Sequence, residues 1–415
     1  MSKLSDSNLM GFKVDHRCRT CQSSNLNRLI EFGPQPRCFD FLTNNVNNPE
    51  LFDFSLGQCS KCGVIQLIDP IPAKKLHPKF DWIRNKEPDQ HIDLLAKDLL
   101  RYLKINNMRV LFLSIYDKKI YDKIHEHLSE RPYMLDPLKD LGVEKTNPGQ
   151  ALIQEQITSE KTKKLSEKIG QFDLIVTCRL LEHTHNTYGF VSALTQLLKP
   201  NGRLVIEVPD STKSLSQGDI TMLWEEHTNY FTPDSLKYAL GAFGFQLEKC
   251  IVYPYPQEDA LVAVFKVNIP TSLSFPISEL HLGNIFKKKI EHLKSTIADV
   301  LEELKNIYGD IAIFGAGHRT VMLVNLLELS NHISYIIDDD DKKQNLRLPG
   351  CNLRVQASDA IKAMKIGVCL LSVNIKIEEK IKNVVNTKAG KEIQFFSVLP
   401  DSKNALPILN AHQFL

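Results

Sequence analysis

Cys18 and Cys21, then Cys59 and Cys62, stand as CxxC, 37 intervening residues and a second CxxC near the start of the chain. Each CxxC offers two thiolates from one tight turn, and two such knuckles close a tetrahedron around Zn²⁺. The first reads Cys-Arg-Thr-Cys and the second Cys-Ser-Lys-Cys-Gly, with small or basic residues that suit a turn and offset thiolate charge. A disulfide pair and a thioredoxin-like redox motif are the competing uses. A redox CxxC follows a strand in a βαβ unit and occurs once, so duplication argues against it. Four thiolates leave no open coordination position, so a metal on Cys18, Cys21, Cys59 and Cys62 is expected to hold a fold rather than carry chemistry.

The length of 415 residues points to two or three domains, and 43 % hydrophobic with 24 % charged residues is a globular composition. A formal net charge of +2 gives no electrostatic case for a nucleic-acid partner. No apolar run approaches the ~18 residues of a membrane span, and Met-Ser-Lys-Leu-Ser-Asp-Ser lacks a signal core. Nine cysteines, four in metal spacing and the rest mostly in apolar contexts, fit a reducing compartment, so a cytoplasmic location is expected.

The cysteine module takes residues 1–75 and ends near Ile68-Asp-Pro-Ile-Pro72, where two prolines disfavour helix. A polar helical stretch from Gln90 to Lys104 opens a second unit, 76–270. Val110–Leu113, Tyr133–Leu135, Asp173–Thr177 and Leu204–Val208 read as buried parallel strands. Helix-period segments (Lys119–His127, Thr158–Gly170, Phe190–Leu198) lie between them, and Lys199-Pro-Asn-Gly202 reads as a helix stop and turn. A long helix, Pro276 to Tyr308, leads the third unit, 271–415, with strands at Ile311–Phe314, Ile333–Ile337, Gly367–Leu371 and Ile393–Val398. The fold class is α/β: two Rossmann-like, doubly wound domains in tandem behind a small Cys₄ zinc module.

Ligands of such sheets bind beyond the carboxyl ends of the strands, which directs attention to Ser114–Asp117, Asp136, Cys178–His183 and Glu207–Asp210. Asp136 could accept ribose hydroxyls, or simply cap a helix. Leu181-Glu-His183 follows one strand, and Trp224-Glu-Glu-His227 comes after the next. A lone Glu-His is usually a surface or packing pair, but two at successive strand ends can converge for acid–base work. Gly315-Ala-Gly317-His318-Arg319 opens the third unit's first turn, where glycine N–H groups and an arginine suit a phosphate. The third glycine of GxGxxG is replaced by Thr320, and a plain strand–helix turn is the equal alternative.

Taken together, these features resemble the three-domain sugar C-methyltransferases, which use S-adenosylmethionine on nucleotide-linked keto-sugars. The likeness rests on the cysteine frame, Leu181-Glu-His183 with Leu197 through Pro209, Glu226-His227-Thr-Asn-Tyr-Phe231, and Ile313-Phe-Gly-Ala-Gly317 through Asp338 to Leu348-Pro-Gly350. The resemblance implies His227 as the base that makes an enolate, Glu226 as its orienting partner and His183 as support for the enolate or a proton relay. It implies Ser114, Asp117, Asp136 and Cys178 around the S-adenosylmethionine. It also implies a nucleoside-diphosphate sugar held by Gly315, Gly317, His318, Arg319 and Asn374. The chain departs from the family at two places. The glycine-rich donor loop is here Phe112-Leu-Ser-Ile-Tyr-Asp117-Lys118, and a catalytic tyrosine is replaced by Trp224; a further family tyrosine falls near Phe80-Asp-Trp82. The departures keep two alternatives open: a sugar-nucleotide-binding relative without catalysis, and an NAD(P)-dependent sugar-nucleotide oxidoreductase using the Gly-Ala-Gly turn. The oligomeric state stays open.

Overall fold

The computed structural model describes residues 17–43, 49–77, 80, 89–143, 149–256, 258–267 and 278–409. The first strands are β1 (Leu26–Pro36), β2 (Leu51–Cys59) and β3 (Ile65–Leu67). Then come α1 (Ile92–Leu103), β4 (Val110–Phe112), α2 (Lys118–Ile124), β5 (Tyr133–Met134), α3 (Pro137–Leu141), α4 (Gln150–Gln156), α5 (Ser159–Ile169) and β6 (Phe172–Cys178). The central unit continues through α6 (Thr187–Leu197), β7 (Leu198–Asp210), α7 (Thr212–Gln217), β8 (Asn229–Tyr230), α8 (Pro233–Gly241), β9 (Phe245–Tyr253) and β10 (Asp259–Val267). The last unit holds α9 (Ser278–Tyr308), β11 (Asp310–Phe314), α10 (His318–Leu326), β12 (Tyr335–Ile337), β13 (Val355–Gln356), β14 (Ile366–Leu371), α11 (Glu378–Ala389) and β15 (Gln394–Ser397).

Three sheets result. The central one runs β5-β4-β6-β7-β10-β9, with β5, β4, β6 and β7 parallel and β10 and β9 antiparallel. Its inner strands are buried on both faces, which is why they read as unbroken apolar runs. The antiparallel pair β9–β10 was not among the expected strands. β9 is only half covered, so its polar residues hide the apolar pattern. The C-terminal sheet, β13-β12-β11-β14-β15, is entirely parallel. The expected Pro-Asn-Gly turn lies at the start of β7, where Asn201 takes a left-handed φ of 62° directly after α6.

The N-terminal sheet, β1-β2-β3-β8, has the topology with most bearing on the site. Its fourth strand is supplied by the central unit. One apolar cluster then joins Leu56 and Ile65 of this sheet, Met222 and Trp224 of the loop before β8, Phe286 of α9 and Ile313 of β11. The three units therefore share a core, and the segment from Met222 to Tyr230 lies within it.

Candidate active site and zinc centre

The four cysteine sulfurs all lie within 4.8 Å of one another, with Cys18–Cys62 at 3.7 Å and Cys21–Cys59 at 3.6 Å. A tetrahedron with Zn–S bonds of about 2.3 Å separates its sulfurs by about 3.8 Å, so the quartet fits Zn²⁺. None of the nine cysteines is in a disulfide. Each knuckle closes by a backbone bond: Gln22 N–H donates to the Cys18 carbonyl (2.9 Å) and Gly63 N–H to that of Cys59 (2.8 Å). Both closing residues sit at positive φ, 59° and 76°. Glycine adopts that conformation without strain in the second knuckle.

The zinc centre reaches the central unit through one residue. The Gln66 side chain donates to Cys18 Sγ at 3.1 Å and accepts from the Arg19 backbone at 3.0 Å. Its backbone lies opposite Asn229, and Ile65 lies opposite Tyr230. Leu67 N–H donates to the Thr228 carbonyl (3.0 Å), and Thr228 N–H donates to that of Glu182 (2.8 Å). The Thr228 hydroxyl adds a bond to the Thr184 carbonyl at 2.6 Å. A ladder thus runs from the thiolates across β3 and β8 to the turn after β6, and it fixes both histidine motifs.

His183 stands in a 3₁₀ turn, Leu181–His183, and His227 just before β8. Their rings are 4.9 Å apart, edge to face. Trp224 lies 4.9 Å from His227 and 5.5 Å from His318, which enters from the third unit. Burial pushes the His183 and His318 imidazoles down to about 3, and burial with the neighbouring His183 and His318 pushes His227 well below its ordinary value. At neutral pH all three are uncharged, and burial makes each a weaker base than a free imidazole. The carboxylate grouped with both imidazoles is that of Glu182, whose oxygen and the two ring nitrogens lie within 4.8 Å of one another. The Glu226 carboxylate is not in that group. Glu225 points elsewhere and accepts from Cys38 N–H of the zinc module at 2.5 Å. The Tyr230 hydroxyl is engaged with the Trp224 backbone, donating to its carbonyl at 3.2 Å. Of Phe80-Asp-Trp82, residues 81 and 82 lie outside the described residues.

The expected donor residues are placed differently. Asp117 is fully buried and accepts from Leu113 and Ser114 N–H (both 2.8 Å) and Cys178 N–H (2.6 Å), stapling the ends of β4 and β6 together. Burial pushes its carboxyl up to about 7 against these bonds. The Ser114 hydroxyl caps the turn by accepting from Tyr116 N–H (3.2 Å), and Asp136 caps α3 through Leu138 and Lys139 N–H, the helix-cap alternative. Cys178 is buried beside Glu207, and burial raises its thiol well above the usual range. The glycine cradle is absent, so the loop as it stands does not fit S-adenosylmethionine in the customary way.

Arg179 and Glu207, both within the strand-end stretches that the sequence singles out, meet His91 and Tyr255, which no motif marks. Arg179 Nε donates to Glu207 Oε1 at 3.1 Å, and His91 Nε2 lies 3.2 Å from Glu207 Oε2. The His91 ring contacts the Tyr255 hydroxyl at 2.7 Å through Nδ1. Arg179 and Glu207 are 3 % and 2 % exposed and latch the ends of the neighbouring strands β6 and β7 together. Burial raises the Glu207 carboxyl, yet His91 and Arg179 outweigh it and hold it below its ordinary range. Arg179 adopts φ 56°, a conformation uncommon outside glycine, and this marks a locally constrained backbone. No sequence motif marks this latch, because its members come from three distant segments.

In the third unit, a Cβ on Gly315 (φ 106°) would meet the Ser372 carbonyl at 2.5 Å, so the turn needs glycine for close approach. Space around Gly317 is open. Ala316 N–H donates to Asp338 Oδ2 at 2.7 Å. Arg319, expected near a phosphate, instead donates to Thr221 Oγ1 of the central unit at 3.3 Å, and His318 packs on Trp224. Asn374 caps the next turn by accepting from Lys376 N–H at 2.9 Å. His318 and Arg319 thus form the seam between units, a role that the turn alternative did not include.

Two predictions follow from these contacts. Asp117→Ala should cost about 3 kcal/mol in urea unfolding, because three buried N–H groups lose their acceptor; a loss under ~0.5 kcal/mol would show that the staple is not needed. Arg179→Ala should tighten S-adenosylhomocysteine binding, by calorimetry, about tenfold, or ~1.4 kcal/mol, if the latch competes with the donor. Weaker binding would make Arg179 a donor ligand.

Comparison with known proteins places these units. Residues 18–77 match a family described as a putative zinc binding domain, 80–249 a methyltransferase domain, and 274–400 a C-methyltransferase C-terminal domain. C-methyltransferase NovU of Streptomyces niveus is 19 % identical over 234 residues, 55 % of this chain and 56 % of that one. The chain thus matches about half the length of this curated relative. Among solved structures, the 1,6-didemethyltoxoflavin-N1-methyltransferase of Burkholderia thailandensis aligns with 16 % identity and a TM-score of 0.30, over 43 % of this chain and 79 % of that one. Magnesium protoporphyrin IX methyltransferase of Synechocystis PCC 6803 aligns with 13 % identity and a TM-score of 0.30, over 45 % and 90 %. The chain thus matches, in order, a zinc-binding, a methyltransferase and a C-methyltransferase C-terminal domain, the order expected from its resemblance to the three-domain C-methyltransferases.

Proposed function

We propose that the chain is an S-adenosylmethionine-dependent C-methyltransferase that acts on a nucleotide-linked keto-sugar through an enolate. The observation that carries this reading is the meeting of His183, His227 and Glu182 at the seam between the central and third units. A ketone makes the adjacent C–H acidic enough for a positioned base. His227, neutral and ring-to-ring with His183, takes that proton. The C–H electron pair moves into the carbon–carbon bond as the ketone oxygen gains charge. His183 then stands as the neighbouring group that supports the oxyanion or relays the proton, with Glu182 orienting an imidazole. Bound S-adenosylmethionine supplies an electrophilic methyl group. The chain's own part is to make the nucleophile and keep water out, and Trp224 and His318 serve the second task.

Functional units of 1–75, 76–270 and 271–415 accompany this reading, with the third presenting the substrate. Its Gly315–Gly317 turn, with open space at Gly317, remains the place offered for a diphosphate. The setting would be polysaccharide or secondary-metabolite synthesis. A cytoplasmic place is in keeping with nine unpaired cysteines, and no described helix is long and apolar enough to cross a membrane.

One observation favours a second reading. The latched crevice and missing glycines suit a relative that binds a sugar nucleotide without transferring methyl groups. The discriminating variant is His227→Gln, which should lower turnover of a thymidine diphosphate keto-sugar at least ~100-fold, the usual scale of general base loss. Donor affinity by calorimetry should stay unchanged. Retained turnover would remove His227 as base, and absence of turnover and donor binding in the unaltered protein would favour the binding-only reading.

A further inference from the structure

We propose that Glu182, His183 and His227 form a second metal site, for a transition-metal dication such as Zn²⁺, whose occupancy is exclusive with proton transfer by the same imidazoles. Among the described residues, only two groups of cysteine, histidine and acidic side chains meet within 4.8 Å: the four zinc-binding cysteines and this trio. The trio offers two imidazole nitrogens and one carboxylate oxygen, a donor set that suits zinc, nickel or copper better than magnesium or calcium. Metal–ligand bonds of about 2.1 Å set tetrahedral donors about 3.4 Å apart, so the side chains must rotate inward from their present spacing, within 4.8 Å, to complete the site.

An independent observation points to a ligand. His183 is fully buried, and beyond the Glu226 backbone its ring nitrogens have no hydrogen-bond partner. A buried polar group left this way is costly, and a cation would give one nitrogen a lone-pair acceptor. The surroundings suit an ion of this kind. Glu182 sets a carboxylate oxygen beside the two imidazole nitrogens. Three protein donors leave a coordination position open, in contrast to the closed cysteine quartet. His227, at 9 % exposed, is the least buried of the three.

A nitrogen that holds a metal has no lone pair for a proton. On the methyltransferase reading, occupancy therefore silences the base, and turnover becomes sensitive to free zinc. Only this kinetic consequence rests on that reading; the binding itself does not.

The test is metal content of the full chain after dialysis against zinc, read by plasma mass spectrometry and by cobalt substitution. The unaltered protein should bind one ion beyond that held by the cysteines. With cobalt, that second ion should give weak visible bands without the near-ultraviolet thiolate absorption of the first. His183→Asn and His227→Asn, checked for folding by circular dichroism, should each lose the second ion and keep the first. Cys59→Ser should lose the first and weaken the second, because the cysteine centre positions both histidine segments. A single ion in the unaltered protein, or a second ion retained in both histidine variants, would overturn the proposal. A second ion bound by a protein that shows no turnover in its absence would leave the site standing and count against the methyltransferase reading. Turnover with a single ion would do the reverse.

Discussion

The pairing of β3 with β8 is the contact on which the remainder of the site depends. β8 is two residues long, and a strand of that length has no stability of its own in water. It persists because the zinc module supplies its partner, with Ile65 opposite Tyr230 and Gln66 opposite Asn229. Gln66 in turn is held by Cys18 Sγ and by Arg19, residues of the first knuckle. The metal that the cysteines hold is therefore structural in a specific sense. It sets the register of the segment that ends in His227, and through Thr228 it ties that segment to Glu182 and His183.

That arrangement explains the electrostatics of the cluster. Three histidines share a dry seam between two α/β units, packed on Trp224, and desolvation keeps them all uncharged. Neutral imidazoles close together do not repel, whereas protonating one would place a charge in an apolar pocket beside Trp224. Charge belongs here only when something anionic or cationic shares it, such as an enolate oxygen or a metal ion. The strand-end crevice follows a different rule. There Glu207 is held charged by Arg179 and His91, and burial of all three makes the latch rigid.

Much of this was legible in residue order, and the remainder was hidden for identifiable reasons. The zinc ligands could be read because a metal's geometry maps onto fixed spacing. The parallel strands could be read because burial on both faces leaves unbroken apolar runs such as Leu174-Ile-Val176. His183 and His227 were placed together by strand-end logic. The resemblance implies Glu226 as the partner carboxylate, whereas Glu182 is the one grouped with both imidazoles, because side-chain direction in a turn does not follow sequence position. Arg179 and Glu207 lie in the strand-end stretches, but their meeting with His91 and Tyr255 carries no signal, since a contact between remote segments has no period or spacing. The turn that carries Arg319 is readable, but its contact with Thr221 in another unit is not.

The central claim is that the cysteine-bound metal sets the position of the His227 segment across the β3–β8 pairing. Amide hydrogen exchange, followed by mass spectrometry in zinc-loaded and chelated protein, addresses it directly. The account predicts faster exchange after chelation in peptides covering Trp224–Phe231 and Leu181–Thr184 as well as β1 to β3, with β9 and β10 unchanged. Loosening confined to β1 to β3, with Trp224–Phe231 as protected as before, would contradict it.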